Sequence, residues 1–361
     1  MKGGRNINKK SFQIAAVFVG TVVGAGLASG REIMIFFTQY GYKSFIGLIL
    51  VMFLYIFIGK CVVDLSLKYN LKTYKDLIEL VCPNIFGSII TLLLSTLFLS
   101  SASIIFAGSG SLLNEFFGIP KWIGMMIMLC ITAFITLRKT KGLIEVNSII
   151  VPLLTIIILT IFILHIAFPS EKISLQYILS IDTRPNYWFF QSVNYGSFNI
   201  FACCGVLVPL IYETKDKKIV NKGIVIGSIL LTILSLILNF VLMINIPEVF
   251  YIDIPLLYVT GIFSRVIQAM LLMVIWLEMF STEVSDVFTL SGTLEKLLSI
   301  PYKFAVFTML IVAVIISQFG FANLVNHLYP AFAIISTIFV IQILLFRYFK
   351  YRKTKNIQES S

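Results

Sequence analysis

Long apolar runs recur from end to end of this chain, and they constrain its fold more than any other feature. A helix needs about 20 consecutive, mostly apolar residues to cross the hydrocarbon core of a bilayer. Lipid offers the backbone no hydrogen-bond partners, so a segment inside it forms either a helix or part of a closed barrel. These runs lack the strict alternation of barrel strands, and only 12% of the residues are charged. The sequence therefore predicts an all-α membrane protein.

About ten transmembrane helices are expected, within a single membrane domain that covers residues 1–361. A short amphipathic stretch between the second and third spans, Thr73 to Val81, is expected to lie along the membrane interface. The ten spans are predicted at about residues 11–37, 44–67, 86–112, 119–137, 143–168, 187–212, 220–246, 257–288, 303–319 and 321–347.

Positive charge is distributed unevenly, and its pattern orients these spans. Cytoplasmic loops of membrane proteins are enriched in Lys and Arg. With the amino terminus in the cytoplasm, the outer loops hold only Lys43, Lys121, Lys172 and Arg184, whereas nearly all other basic residues face inward. This alternation predicts a multi-pass inner-membrane protein with both short termini in the cytoplasm. It accounts for the net charge of +11 without a nucleic-acid partner.

The first span contains a cluster of residues that disfavour a helix. Three glycines and a serine fall within seven positions, and the pair Arg31 and Glu32 follows in a segment that should be apolar. Glycines four positions apart also permit close helix packing, which is the alternative explanation. Because these glycines extend beyond one helix face, we predict an interruption that binds substrate at Gly24, Gly26, Ser29 and Gly30.

The sixth span also carries polar residues where apolar ones are expected. Asparagine and serine compete for backbone hydrogen bonds, and glycine tolerates the resulting dihedral angles. Breaks in spans one and six would divide the chain into inverted halves of five helices, at about residues 11–168 and 187–347. Matching interruptions of this kind are typical of transporter binding sites. The substrate-binding residues predicted here are Asn194, Tyr195, Gly196, Ser197 and Asn199.

A broken helix provides binding chemistry without charged side chains. Its unpaired N–H groups attract an anionic group, and its unpaired carbonyl groups attract a cation. No catalytic motif such as H-E-x-x-H accompanies the breaks, so we expect no enzyme activity. The two histidines, His165 and His327, are not at ligand spacing, and no metal site is predicted.

The eighth span carries a polar helix face made by Glu278, Ser281, Thr282 and Ser285. A carboxylate inside a bilayer costs several kcal/mol unless it is paired or hydrated, so Glu278 is a candidate for coupling. The alternative to a coupling site in this span places Glu283 and Asp286 at the cytoplasmic mouth. Small polar residues of the third span, such as Ser100 and Ser101, favour tight helix packing, with cavity lining as the alternative.

The residues around the first break resemble a known family. The sequence from Gly20 to Ile33, followed by Phe36-Phe37 and Tyr40-Gly41, resembles the YkvI family of bacterial membrane proteins. The five-plus-five arrangement is similar to the wider amino acid–polyamine–organocation superfamily. This resemblance implies the LeuT-like inverted-repeat fold with helices one and six broken.

The resemblance also implies roles for individual residues. In sodium-coupled members of the superfamily, adjacent hydroxyls of span eight and carbonyls of span one bind Na⁺, which matches Ser281 and Thr282 with carbonyls near Gly24. The alternative is that Ser281 only hydrogen-bonds to its own helix. Arg31 matches an outer gate, paired with Asp253 or Glu32, unless it merely reaches the interface. Proton coupling through Glu278 or Glu32 is the rival to sodium.

These observations predict a secondary active transporter of a small, amino-acid-like organic solute, coupled to Na⁺ or H⁺. No cofactor is expected apart from Na⁺ as a coupling ion. The solute and the lipid bilayer are the expected partners, and the sequence leaves the oligomeric state open. The alternative function is a ligand-sensing receptor of the same fold without net transport.

Overall fold

The structure is a computed structural model that describes residues 2–168, 187–252, 254–318, 332 and 334–349. The described chain is helical, with short 3₁₀ turns at Thr38–Tyr40 and Glu248–Tyr251. In chain order the helices are α1 (Lys2–Val22), α2 (Ala25–Ala28), α3 (Arg31–Phe36), α4 (Lys43–Tyr69), α5 (Tyr74–Val81), α6 (Asn84–Phe117), α7 (Lys121–Thr136), α8 (Lys139–Ala167), α9 (Trp188–Thr214), α10 (Lys217–Met243), α11 (Pro255–Gly261), α12 (Arg265–Leu298), α13 (Tyr302–Ser317) and α14 (Ile334–Phe349).

Six helices in the described part of the chain are long and apolar enough to cross a membrane: α4, α6, α8, α9, α10 and α12. Three shorter apolar helices, α7, α13 and α14, accompany them. Large apolar side chains such as Phe53, Phe134, Ile149 and Ile163 are exposed on the outside of the bundle. Exposed apolar surface of this extent is unfavourable in water and suits contact with lipid. The chain is a multi-pass membrane protein, as the sequence predicts.

The centre of the bundle is built by α1, which packs against α10 and α8, while α4 packs against α9 and α10. Small residues allow the close approach of α1 and α10. A Cβ atom at Gly227 would lie 3.1 Å from the Ala15 carbonyl oxygen, and the Ser11 hydroxyl donates a hydrogen bond to the Ile219 carbonyl at 3.1 Å. Lipid tails are as apolar as the helix surfaces, so the burial of apolar side chains does not drive helices together in a bilayer. Small residues allow the close packing and the hydrogen bonds that do.

The predicted interruption of the first span is present. Helix α1 ends at Val22, and α2 makes a single turn before α3 begins at Arg31. At the break the Gly24 N–H donates to the Val22 carbonyl at 3.1 Å, which replaces the usual bond to the fourth residue back. Gly30 has a φ of 82°, a left-handed conformation that glycine adopts at little cost.

The predicted break in the sixth span is wrong, because α9 is continuous from Trp188 to Thr214. Both asparagines of the predicted break bond to other helices, whereas Ser192 donates to the Trp188 carbonyl of its own helix without interrupting it. Asn199 donates to the Tyr55 hydroxyl at 2.9 Å, and Asn194 accepts from Thr337 at 2.9 Å. Gly196 provides space for Leu54 of α4, whose Cδ1 would lie 3.2 Å from a Cβ atom at that position.

The amphipathic stretch after the second span forms α5, as predicted. A capping box at its start joins Thr73 and Asp76, and the apolar residues Leu77 and Ile78 are buried. Lys296, near the end of α12, forms an ion pair with Asp76 at 3.0 Å. This contact ties the short helix to the end of α12.

Candidate functional site

The break in the first span brings a backbone carbonyl to a hydroxyl of α12. The Thr282 Oγ1 atom lies 3.3 Å from the Val23 carbonyl oxygen and 3.0 Å from the Glu278 carbonyl of its own helix. Gly24 is directly beside this pair, since a Cβ atom there would be 3.6 Å from Thr282 Oγ1. Two oxygens of different helices therefore converge where α1 stops being helical.

A second polar contact of α12 lies next to the first. The Ser281 hydroxyl donates to Asn147 Oδ1 at 2.8 Å, and both side chains are buried. Asn147 belongs to α8, and its amide fills the space where a Cβ atom on Gly20 would stand. Ser281 thus bonds across helices, which differs from the alternative of bonding to its own backbone. Sequence reasoning missed Asn147, although it is a lone amide within the apolar fifth span.

A cavity with about 60 Å³ of space accessible to water adjoins the break. This volume suffices for several water molecules or a small solute group. The aromatic rings of Phe198 and Phe332 contribute to its apolar lining. Its polar lining comes from Thr21 and Glu32 of the first span, Ser100 and Ser101 of α6, Asn199 of α9, and Thr282 and Asp286 of α12.

Glu32 is turned inward toward the break. Its carboxylate lies over Gly26, in the space that a Cβ atom at residue 26 would occupy. The Tyr195 hydroxyl donates to Glu32 Oε2 at 3.3 Å. The Tyr195 ring is held between Phe36 and Phe37, with ring centroids 5.1 Å away in each case. Gly26 and Tyr195, which are both predicted site residues, therefore both contact the Glu32 carboxylate.

Other predicted site residues lie outside the cavity lining. The Ser29 hydroxyl donates to the Gly26 carbonyl at 3.0 Å, and the Ser29 carbonyl accepts from the Leu256 N–H at 3.0 Å. Gly30 packs against Leu256 of α11 as well. Asn194 and Gly196 face α14 and α4, as described above, and Ser197 is buried within the bundle. Of the five predicted residues of α9, Asn199 lines the cavity, and Tyr195 donates a hydrogen bond to Glu32, which lines it as well.

The predicted gate residue Arg31 points away from the cavity. Its Nη1 atom donates to the Ile252 carbonyl at 2.9 Å, beside the segment that leads into α11. Of its two predicted partners, Asp253 lies outside the described residues, and Glu32 is directed at Tyr195. Arg31 therefore links the start of α3 to the loop before α11.

Three carboxylates of α12 are buried together with the hydroxyls. Glu278 and Glu283 are fully buried, and within the described part of the chain none of their oxygens has a hydrogen-bond partner. Neither of them lines the cavity, whereas Asp286 does. The described residues contain no group of three His, Cys, Asp or Glu side chains that could hold a metal ion.

Comparison with known proteins places the chain in a family and a fold. The uncharacterized membrane protein YkvI of Bacillus subtilis (strain 168) is 31% identical over 328 residues, which cover 91% of this chain and 93% of the relative. No family model matches the sequence.

Solved structures show the same fold at low sequence identity. A Na⁺-coupled sialic acid symporter in a substrate-bound, outward-open state matches with a TM-score of 0.66 and 13% identity, over 93% of this chain and 78% of that one. MhsT in complex with L-phenylalanine matches with a TM-score of 0.66 and 14% identity, over 93% and 87%. The fold is that of the LeuT-like transporters, and the chain belongs to the YkvI family of bacterial membrane proteins.

Proposed function

We propose that this protein is a secondary active transporter that carries a small organic solute through the cavity at the break in its first span. The observation that carries this proposal is the meeting of the Thr282 hydroxyl and the Val23 carbonyl, 3.3 Å apart, beside that cavity. Many secondary transporters bind their solute at an interrupted helix that lines a polar cavity. The fold shared with a sodium-coupled symporter supports the same function.

The described helices are consistent with ten spans in the inner membrane. In this arrangement α1 to α3 form the first span, and α4, α6, α7, α8, α9, α10, α12, α13 and α14 form the others, in two inverted halves with both termini in the cytoplasm. Since α9 is continuous, the two halves differ at the site. Of these two spans, the first offers backbone groups to a ligand at its break, and α9 contributes side chains.

Sodium is our first candidate for the coupling ion. Thr282 and Ser281 bring hydroxyl oxygens to the break, and the Val23 carbonyl and the Asn147 amide oxygen lie beside them. Hard cations bind oxygen ligands of this kind. Proton coupling is the second candidate, through Glu32 in the cavity or through Glu278, which is buried without a hydrogen-bond partner among the described residues. Arg31 and the Ile252 carbonyl are our candidates for the gate.

Uptake into proteoliposomes tests the function. With an inward Na⁺ or H⁺ gradient, we expect accumulation of at least one radiolabelled amine or amino acid, and the gradient that drives it identifies the coupling ion. Thr282→Ala should lower the initial rate at least tenfold, because it removes the hydroxyl at the break. The control is Thr160→Ala, since Thr160 donates to the Ile156 carbonyl of its own helix and is not among the residues that line the cavity.

The receptor alternative gives a different result in the same preparation. A receptor would bind a solute, as measured by thermal stabilisation, without any gradient-dependent accumulation. Binding with no flux in either gradient would therefore overturn the transporter proposal.

A further inference from the structure

We infer that the cavity binds a small organic cation, an amine without a carboxylate group, in preference to an amino acid. This inference rests on the proposed function and narrows the class of its solute. Its basis is the pair of acidic side chains at the cavity, Asp286 and Glu32, and the lack of a basic side chain among the described lining residues.

Asp286 supplies the first acidic group. Its side chain is only 6% exposed, it lines the cavity, and its Oδ2 atom has no hydrogen-bond partner among the described residues. The Ser101 hydroxyl lies beside the same carboxylate. A buried carboxylate oxygen without a partner is costly, and a bound cation would offset that cost.

Glu32 supplies the second acidic group, from a different helix. Gly26 leaves room for its carboxylate over the break, and Tyr195 donates to one of its oxygens. Asp286 belongs to α12 and lies one turn further along that helix than Thr282, or about 6 Å. The two carboxylates thus approach the cavity from α3 and α12.

None of the described residues that line the cavity is Lys, Arg or His, and Arg31 directs its guanidinium to the Ile252 carbonyl. A solute carboxylate would bring a third acidic group into a site of low dielectric constant, where a negative charge without a positive partner is costly.

Helix ends offer such a carboxylate little compensation. The helices that begin at the break, α2 and α3, have only four and six residues, and Glu32 already stands in the first turn of α3. The partial positive charge at the start of a helix is therefore small here, and Glu32 already opposes it.

The remaining lining suits an ammonium group with a short apolar stem. Phe198 and Phe332 border the cavity, and an aromatic face turned toward a bound cation attracts it through its quadrupole. The hydroxyls of Thr21 and Ser100 can accept hydrogen bonds from an ammonium group as well. The volume of about 60 Å³ accessible to water favours a small amine.

Matched pairs of compounds test the inference with the purified full chain in detergent. Each pair differs by one carboxylate group: isoamylamine and leucine, tyramine and tyrosine, agmatine and arginine. We expect at least one amine to raise the melting temperature, and its amino acid to bind at least tenfold more weakly. Equal or tighter binding of the amino acid, or no stabilisation by any amine, would overturn the inference.

Asp286→Asn keeps the size of the side chain and removes its charge. We expect the affinity for the amine to fall at least tenfold, while Glu283→Gln, which removes a buried charge of the same helix outside the cavity, changes it less than twofold. If Asp286→Asn lowers the melting temperature of the free protein, Glu32→Gln provides a second test with the same expected loss. Unchanged amine affinity in both cavity variants would contradict the assignment.

The transporter proposal can fail separately. Amine binding without uptake would leave the cation preference intact and end the transporter proposal. Uptake of an amino acid that depends on Thr282 would keep the transporter and overturn the cation preference.

Discussion

The Glu32 carboxylate lies over Gly26, in the space that a side chain at residue 26 would need. Through this contact the first turn of α3 folds back over α2. The Glu32 carboxylate therefore contacts α2, although Glu32 belongs to α3, and it also lines the cavity. The break in the first span is thus more than a loss of helical hydrogen bonds. It also directs a carboxylate into the bundle.

Replacing Gly26 by alanine should displace this carboxylate. The new methyl group would overlap with Glu32, so we expect solute affinity to fall at least tenfold while the protein still folds. Isothermal titration with the solute found in the uptake assay measures this change. Gly292→Ala is the matched control, because no described atom beyond its own helical turn lies within 4 Å of a Cβ at that position. It should leave affinity unchanged, and the added alanine is expected to favour α12 by up to about 1 kcal/mol. Full affinity in Gly26→Ala would show that Glu32 does not contribute to binding.

Gly20→Ala should disturb the contact between α1 and α8. A Cβ atom there would overlap with the amide of Asn147, and overpacking of this kind costs about 1–3 kcal/mol. We expect a lower melting temperature and a weaker sodium effect on it, because Asn147 also accepts the hydrogen bond of Ser281.

A second substitution tests the cause. Asn147→Ser shortens the side chain, so the double variant should regain part of the stability that Gly20→Ala loses. Additive losses in the two variants would show that residues 20 and 147 do not compete for the same space.

Asp64 holds three helices together at one end of the bundle. It pairs with Lys217 of α10 at 2.7 Å and with Arg347 of α14 at 3.5 Å, and Arg347 also contacts the sulfur of Cys61. Asp64→Asn should loosen this end, with a cost of at most about 1 kcal/mol, because the paired side chains are partly exposed.

The accessibility of Cys61 reports on that change. In a Cys130→Ser background, which removes the exposed cysteine, we expect faster maleimide labelling of the buried Cys61 in Asp64→Asn. Glu79→Gln breaks an exposed pair with Lys75 and should not alter the rate. An unchanged labelling rate in Asp64→Asn would show that its ion pairs do not hold this end closed.

Asp76 should make the attachment of α5 sensitive to acid. Burial by itself would raise its pKa, but the hydrogen bond from Lys296 and those from the backbone N–H groups of Lys72 and Thr73 hold the pKa below its ordinary value. A carboxylate with a lowered pKa stabilises the folded state above its unfolded pKa of about 4. This stabilisation is lost as the pH falls through the lower, folded pKa.

Melting curves of the wild type and of Asp76→Asn measure this contribution. At pH 7 we expect the variant to melt roughly 2 °C lower, because the capping box and the ion pair are both weakened. Below about pH 4 the two curves should converge. A difference that persists unchanged to pH 3 would assign the effect to packing rather than to charge.

The sequence by itself was sufficient for the class of fold, the position of α5 and the interruption near Gly24. Each of these depends on neighbouring residues: a run of apolar side chains favours lipid, and clustered glycines weaken a helix wherever they occur. The order of glycines, arginine and glutamate was enough to suggest the family that the comparison with YkvI shows.

The tertiary structure decided how the polar residues within the spans are used. Asn194 and Asn199 are expected to disturb a helix when only their neighbours are considered, yet α9 stays regular because Thr337 and Tyr55 complete their hydrogen bonds. The same holds for Asp286, whose place at the cavity depends on α6 and the first span. Partners that lie more than a hundred residues away in the chain leave no local pattern, so only the packed bundle determines whether a polar side chain unwinds its helix, joins two helices or faces a ligand.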